Sequence, residues 1–566
     1  MNIQLKYAVA IAAFVSIGLC SSVVSAAVKK PRLILQITVD QLRGDLPTRY
    51  YDQLGEGGFK YLLKKGVVYT DAHHDHANTE TIVGHATLAT GAYPSAHGMV
   101  GNLWFDRSTG QTTYNIEDAD YQLLTSGAGV DSKTEIDPTQ RAAKTEGRSP
   151  NAILVTTFAD ELLTYSGGKS KVFGVSVKDR GAVSMAGHGG KAFWFSKATG
   201  EFVTSNYYYD RYPLWVETWN DQQPAHFYSG KSWQLLHELA SYTFADSDDR
   251  PWETDLAGFG RVFPHSFGSA DDKYFTTKLT ISPAGDALTL DFAKTLLIEE
   301  ELGKDGVTDY LSISFSSTDY VGHVFGPSSL EAEDNILQLD RKLAELFTFI
   351  DREVGLKNTL IVLSADHGGP DTPGYLNSHN IPAGYVDPDN WDKEAAITRI
   401  KKQFAIKGKL IEKFEHPYLY LSESVINDQS IDQPALAAAV INELSNFEGV
   451  SQAISSAALQ GGDLPDTAVV RAVRNNFHPK RSGDIYIVFE ANWFINDFDG
   501  LVVAATHGSP WKYDTFVPVM FAGPSIKPSQ VSRRIHTVDI ARTLSAYVGA
   551  KPPSGAVGNV LKEVVR

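Results

Sequence analysis

At 566 residues the chain is too long for one simple core, and with 43% hydrophobic and 21% charged residues it is neither a disordered tail nor a membrane bundle. A formal charge of −16 disfavours nucleic acid and anionic membranes as bulk partners, while leaving room for a small anionic substrate in a locally positive pocket. Cys20 is the only cysteine, so a disulfide framework and a thiolate metal site are both excluded, and any metal must be held by Asp, Glu and His.

The N-terminus reads as a secretory signal peptide, residues 1–26. Lys6 precedes an apolar run over 7–19 that is too short to span a bilayer, and Val24-Ser25-Ala26 supplies a small-residue cleavage pattern. A lipid anchor on Cys20 fits poorly, because Leu19 stands where a small residue is expected. The mature protein is therefore expected in the periplasm or outside the cell, with no stable membrane anchor.

"RLILQITVD" (32–40) is an apolar, β-branched run closed by an acid, and "DYLSISFSSTD" (309–319) and "TLIVLSADHGG" (359–369) repeat the design. Buried parallel strands read as near-continuous apolar runs, and open α/β sheets place ligands at the carboxyl ends of their strands. Between the last two runs, Leu337, Leu339, Leu343, Leu346 and Ile350 form a helical stripe, which completes a strand–helix–strand unit of a parallel α/β core. "DTFVPVMFAGP" and the helix-like "TVDIARTLSAYVG" return to that core near the end. Two insertions are expected within a single domain over 27–566. One is aromatic-rich, at about 190–283, and opens like a hairpin; the other, at about 370–501, reads as a small strand–helix–strand subdomain.

"HHDHANTETIVGHATLATGAYPSAHG" (73–98) carries five histidines and five threonines. Thr81 opens an apparent helix, "IVGHATLATG", whose N-terminal amides favour a bound anion. Thr79 is expected as a capping or turn residue, with Thr87 and Thr90 along the helix. In "KVFGVSVKDR", strand spacing would aim Lys178 and Arg180 to one face and Asp179 to the other; a plain charged strand end is the bland alternative.

The chemistry-bearing residues cluster at strand ends. Asp319 and His323 are spaced for one turn of helix, Asp366 and His367 are adjacent before two glycines, Asp40 ends the first strand, and His507 precedes Gly508. Singly, each is more often a cap or a capped loop. Together, three Asp and three His can serve two ions, and mixed nitrogen and carboxylate donors suit Zn²⁺ better than Ca²⁺ or Mg²⁺.

The order Asp40, "TETIVGHATLATGAYPSAHG", "STDYVGH", "SADHG" and "THG" resembles the alkaline phosphatase superfamily. With "VKDRGAVSMAGH" added, the chain is similar to the secreted, phosphate-insensitive bacterial alkaline phosphatases that use a threonine nucleophile. The resemblance covers nearly all of the mature chain. It implies an alkaline-phosphatase-like α/β core, a mostly parallel sheet flanked by helices, and two Zn²⁺ per chain. One ion would sit on Asp319, His323 and His507, the other on Asp40, Asp366 and His367, with the Thr81 oxygen completing its shell. Thr81, four residues before His85, would attack phosphorus and form a phosphothreonine. Asn102, Lys178 and Arg180 would bind the transferring group, and the Lys-x-Arg pair marks monoesterases in the family. A phosphodiesterase or nucleotide pyrophosphatase on the same scaffold is the nearest alternative. A sulfatase lacks support because its nucleophile motif is absent, and a non-catalytic zinc or phosphate-binding descendant would not need Thr81. His85 is expected to pack or to support a ligand. His73, His74 and His76 are expected as solvated or hydrogen-bonded loop residues, with an additional ion as the alternative. Physiological substrate and oligomeric state are not encoded in any motif.

Overall fold

The computed structural model describes residues 30–565, so the signal-peptide reading and Cys20 lie outside the described residues. Its centre is a nine-stranded sheet: β1 (Leu33–Val39), β2 (Val67–Tyr69), β3 (Val172–Ser176), β4 (Lys191–Ser196), β5 (Glu201–Val203), β6 (Asp309–Phe315), β7 (Thr359–Ser364), β8 (Val519–Ala522) and β9 (Ser529–Val531). The spatial order is β9-β2-β8-β7-β1-β6-β3-β4-β5. The five strands from β7 to β4 run parallel, and antiparallel pairing appears only on either side of them, at β8 with β7 and β2 and at β5 with β4.

Both faces of the sheet are covered, which is why its middle strands are apolar throughout. Leu33, Leu35, Ile37 and Val39 join a core with helices α3 (Pro283–Glu299), α4 (Ser317–Phe325) and α5 (Leu330–Glu353). The stripe Leu337, Leu339, Leu343, Leu346 and Ile350 on α5 is buried there. Ile34 faces the opposite side, with α1 (Thr81–Thr90) and α6 (Asp539–Val548), and α2 (Asp179–Ala186) packs on the same side against β3. Among the described residues no helix is long and apolar enough to cross a membrane.

The first interrupting stretch opens as a hairpin, and the second carries a strand, a helix and a strand. The hairpin at the start of the first one is β4 and β5, so residues 191–203 extend the central sheet, and the excursion begins only after them. Phe202 of β5 stacks on Phe292 of α3 at 4.3 Å between ring centroids, whereas Phe227 in the excursion is exposed. The second stretch carries a four-stranded antiparallel sheet. Its two inner strands are Tyr418–Leu421 and Ile485–Phe489, and the helix Gln433–Leu444 packs on its edge strand Val450–Ser455.

Candidate active site and metal centre

Because β1, β3, β6 and β7 are parallel and in register, their carboxyl ends lie level at one edge of the sheet. That edge gathers Asp40 after β1, Asp319 and His323 on α4 after β6, and Asp366 and His367 after β7. His507 arrives from the long connection before β8. Asp40, Asp319, Asp366 and His367 are buried to within 1%.

The histidine tautomers are set by the backbone. His323 Nδ1 lies 2.8 Å from the Ala505 carbonyl, His367 Nδ1 2.8 Å from that of Gly368, and His507 Nδ1 2.8 Å from that of Thr79. Each Nδ1 can only donate to its carbonyl, so each neutral ring presents an Nε2 lone pair to the site. His323 Nε2 and His507 Nε2 both stand 3.3 Å from Asp319 Oδ1. His367 Nε2 stands 3.4 Å from Asp40 Oδ1 and 3.5 Å from Asp366 Oδ2. An ion with bonds of about 2.0–2.1 Å in a tetrahedron separates its ligands by roughly 3.3–3.4 Å. Asp40 Oδ1 and His367 Nε2 are also buried without a hydrogen-bond partner, as expected of donors built for a cation. Among the described residues two groups could hold a metal ion, Asp40 with Asp366 and His367, and Asp319 with His367 and His507; His323 meets Asp319 from outside these groups. His367 lies between the two sets: its ring stacks on His507 at 3.6 Å, and it also falls within ligand reach of Asp319 and His507.

Charge is distributed unevenly across these groups. Burial pushes the Asp366 carboxyl above its usual range, whereas Asp40, equally buried, is held below it by the Lys178 ammonium. Burial opposes a charged His367, yet Asp366 and Asp40 raise it to about 9. Burial and the neighbouring His367 bring His507 down to about 3.

Thr81 is the first residue of α1, and its hydroxyl lies 3.4 Å from Arg180 Nη2. The helix can approach the ligands because residue 84 is glycine: a Cβ there would come within 1.9 Å of the Asp366 carbonyl. Asn102 accepts the Ile82 amide at 3.1 Å, so one N-terminal amide of α1 is already used, and Asn102 lines the same pocket as Thr81. The expectation that Lys178 and Arg180 share a strand face is corrected. β3 ends at Ser176, Lys178 is the residue preceding α2, and Arg180 is in the first turn of α2. Both still turn inward, by different routes. Lys178 Nζ bridges Asp319 (2.5 Å) and Asp40 (2.8 Å), while Arg180 reaches Thr81. Asp179 points the other way, to Arg148 and Tyr114.

The remaining groups of the 73–98 segment are structural. Of the two roles expected for His73, His74 and His76, solvated or hydrogen-bonded, they take the second: all three are buried and hydrogen-bonded. His74 Nε2 is 3.0 Å from the Ala365 carbonyl, His76 Nδ1 is 2.8 Å from that of Asn78, and His73 contacts Asp71 and Thr515. No carboxylate joins His74 and His76, which lie 3.1 Å apart through Nδ1 and Nε2. His85 packs against the site, 2.9 Å from the Thr81 carbonyl and 3.0 Å from Asp366. Thr79 donates to the Ser509 carbonyl, and the residue capping α1 is Glu80.

Two residues of the site have no sequence motif. Gln41 adopts φ = 62°, which is uncommon for a residue with a side chain; its amide reaches Asp366 at 3.1 Å and its Nε2 reaches Asp319 at 2.9 Å. Asp137 caps the short helix Pro138–Arg141 and holds Arg180 Nη1 at 2.8 Å with its other oxygen. An Asp-Pro step signals the cap alone.

Comparison with known proteins agrees with this architecture. Residues 34–510 match the family model described as type I phosphodiesterase / nucleotide pyrophosphatase. The chain is 33% identical over 557 residues to alkaline phosphatase PafA of Elizabethkingia meningoseptica, covering 97% of each chain. It is 32% identical over 559 residues to alkaline phosphatase PhoV of Synechococcus elongatus, covering 96% of this chain and 95% of that one. The crystal structure of wild-type PafA superimposes with a TM-score of 0.85 at 33% identity, covering 95% of this chain and all of that one. The chain thus belongs to the type I phosphodiesterase / nucleotide pyrophosphatase family of the alkaline phosphatase superfamily.

Proposed function

We propose that this chain is a periplasmic or secreted, zinc-dependent alkaline phosphatase that hydrolyses phosphate monoesters through a phosphothreonine intermediate. The observation that carries the reading is the meeting, at one sheet edge, of two three-residue donor sets with a hydroxyl that an arginine already touches. Asp319, His323 and His507 would hold one Zn²⁺, and Asp40, Asp366 and His367 the other. When bound, the ions supply positive charge and acidify a hydroxyl brought against them.

Thr81 Oγ1 gives its proton to solvent and attacks phosphorus, and as the ester P–O bond breaks the departing alkoxide takes up a proton from solvent and leaves as the alcohol. Water then attacks the phosphothreonine, freeing inorganic phosphate and restoring the Thr81 hydroxyl. Arg180, clamped by Asp137, donates to non-bridging oxygens from a fixed fork, and Asn102 adds a neutral donor. Lys178 offsets the carboxylates of Asp40 and Asp319. The full-length likeness to two alkaline phosphatases supports the monoester reading, whereas the description of the matching family favours a diesterase as the second reading.

One experiment separates them. Metal content is measured together with turnover of a monoester and a diester that share one leaving group. About two Zn²⁺ per chain and a strong monoester preference are expected. Diester preference would move the second reading ahead, and full activity in a metal-free preparation would overturn both.

A further inference from the structure

The groups around Thr81 form one end of a pocket of about 630 Å³, and the rest of that pocket is a different surface. Ile136, Pro138, Leu256, Val324, Phe498 and Val503 form its walls. These walls are built onto the helix that carries the ligands. The Thr254 amide donates to the Val324 carbonyl at 2.9 Å, which fixes the loop bearing Leu256. The Ala504 amide donates to the His323 carbonyl at 2.8 Å, which fixes the strand end bearing Val503. Phe498 sits in the hairpin Asp497–Phe498 with Leu501–Val502, whose turn residues Asp499 and Gly500 both have positive φ, a turn that matches strand twist. The Arg141 guanidinium donates to the Phe498 carbonyl, tying that hairpin to the segment that carries Ile136 and Pro138. Three separate stretches of chain thus converge with the helix bearing Val324 on a predominantly apolar pocket wall, to which Thr139, Tyr320 and Thr506 add hydroxyls.

Charge is as informative as shape. Arg180 is the only Lys or Arg among the described residues lining the pocket. The two acids that line it beside Asp319 are occupied: Glu80 accepts from the Asn102 amide and Asn78, and Asp137 holds Arg180. A leaving group with further phosphates would meet no cationic side chain beyond Arg180, and a polar one would find only the hydroxyls of Thr139, Tyr320 and Thr506 beyond the metal-site and acidic groups.

The geometry points to an apolar leaving-group subsite, so that the monoesters this chain handles best are those of uncharged alkyl or aryl alcohols. The inference rests on the phosphatase reading above and narrows it to a substrate class. Buried apolar area is worth about threefold to fourfold in kcat/KM for each added methylene that enters such a pocket.

The test uses the zinc-loaded protein and linear alkyl monophosphates from ethyl to hexyl, whose leaving-group basicity is nearly constant. Over the first few added carbons kcat/KM rises by the stated factor. In the double variant Leu256→Ser with Phe498→Ser, the hexyl-to-ethyl ratio falls by about tenfold or more. Val503→Thr, which keeps the shape of the side chain, lowers the same ratio by a smaller factor if the double variant does not fold. A flat wild-type profile overturns the subsite while leaving the phosphatase reading intact. A slope that survives the substitutions overturns its placement on these walls. Turnover of none of the esters removes the phosphatase reading itself.

Discussion

Arg180 Nη2 lies 3.4 Å from the Thr81 hydroxyl. The opposite terminal nitrogen of that guanidinium is held at 2.8 Å by Asp137, whose other oxygen accepts the Thr139 amide at 3.0 Å. The Thr81 hydroxyl, the proposed nucleophile, and Arg180 are thus linked to a helix cap outside the sheet. Burial disfavours the charged Asp137 carboxyl, but Arg180 and Lys197 hold it below its usual range.

Asp137→Asn keeps the cap and removes the charge that orients the fork. Charge-assisted hydrogen bonds contribute roughly 1.5–3 kcal/mol, so monoester kcat/KM is expected to fall by about tenfold to a hundredfold. Asp137 acts through Arg180, so in an Arg180→Ala background the same change should add little. A double-mutant cycle on kcat/KM reads this, and full additivity would show that Asp137 acts elsewhere.

Thr81→Ala removes the proposed attacking oxygen and is expected to cost several orders of magnitude, on the scale of other catalytic nucleophiles. Thr81→Ser keeps a hydroxyl at the same helix position and should keep substantial activity. Thr79→Ala is the control: its hydroxyl donates to Ser509, so it should lose about 1 kcal/mol of stability and stay active. A dead Thr79→Ala beside an active Thr81→Ala would shift the nucleophile by two residues.

The legible parts of this molecule are those dictated by local pattern. Runs such as "RLILQITV" could hardly be anything but buried parallel strands, and an acid at the end of each marks the ligand edge. Asp319 and His323 were readable because one helical turn fixes their relation. Lys178 and Arg180 were misplaced because alternation after Val172 continues past the true strand end at Ser176, where a turn into α2 takes over. The burial of His73, His74 and His76 depends on the chain at 365 and 537 packing over them, a tertiary fact with no local trace. Gln41 and Asp137 were missed for the same reason, since a backbone angle and a remote partner give them their roles.

A pH-dependent stabilising pair sits away from the chemistry. His188 Nδ1 lies 2.8 Å from Asp160 Oδ2 and its Nε2 3.1 Å from the Ile153 carbonyl, so both ring nitrogens face acceptors and the imidazolium fits best. The hydrogen bond to Asp160 raises the His188 pKa above 6.5. Burial would raise Asp160 above 3.8, but the bond to His188 lowers it. A raised histidine contributes stability that is complete below its unfolded value and lost as pH rises through its folded value. A depressed carboxylate contributes stability that is present above its unfolded value and lost as pH falls through its folded value. His188→Gln is thus expected to destabilise by about 1 kcal/mol between roughly pH 4 and 6.5, the contact being partly solvent-screened. The difference should shrink in alkaline buffer. Urea midpoints across pH measure it, and a penalty that grows with pH would contradict the assigned charge state.

The division of labour between Lys178 and Arg180 decides substrate class. A phosphate monoester carries two negative charges and offers three non-bridging oxygens, whereas a diester carries one charge and replaces one of those oxygens with an ester group. Arg180 touches the Thr81 hydroxyl, and Lys178 lies between Asp319 and Asp40, so on the proposed reading Arg180 would face the transferring group more directly. With charged hydrogen bonds at roughly 1.5–3 kcal/mol each, losing both cations is expected to cost the monoester about two to four powers of ten in rate. Arg180→Ala alone should account for the larger share. Lys178→Ala removes the counter-charge between the two acids, so its zinc content must be measured before its kinetics are read. In the zinc-loaded double variant, monoesterase activity should fall far more than diesterase activity. Equal losses on a monoester and a diester with one leaving group would make the pair structural, and the diesterase reading would then fit this edge of the sheet better.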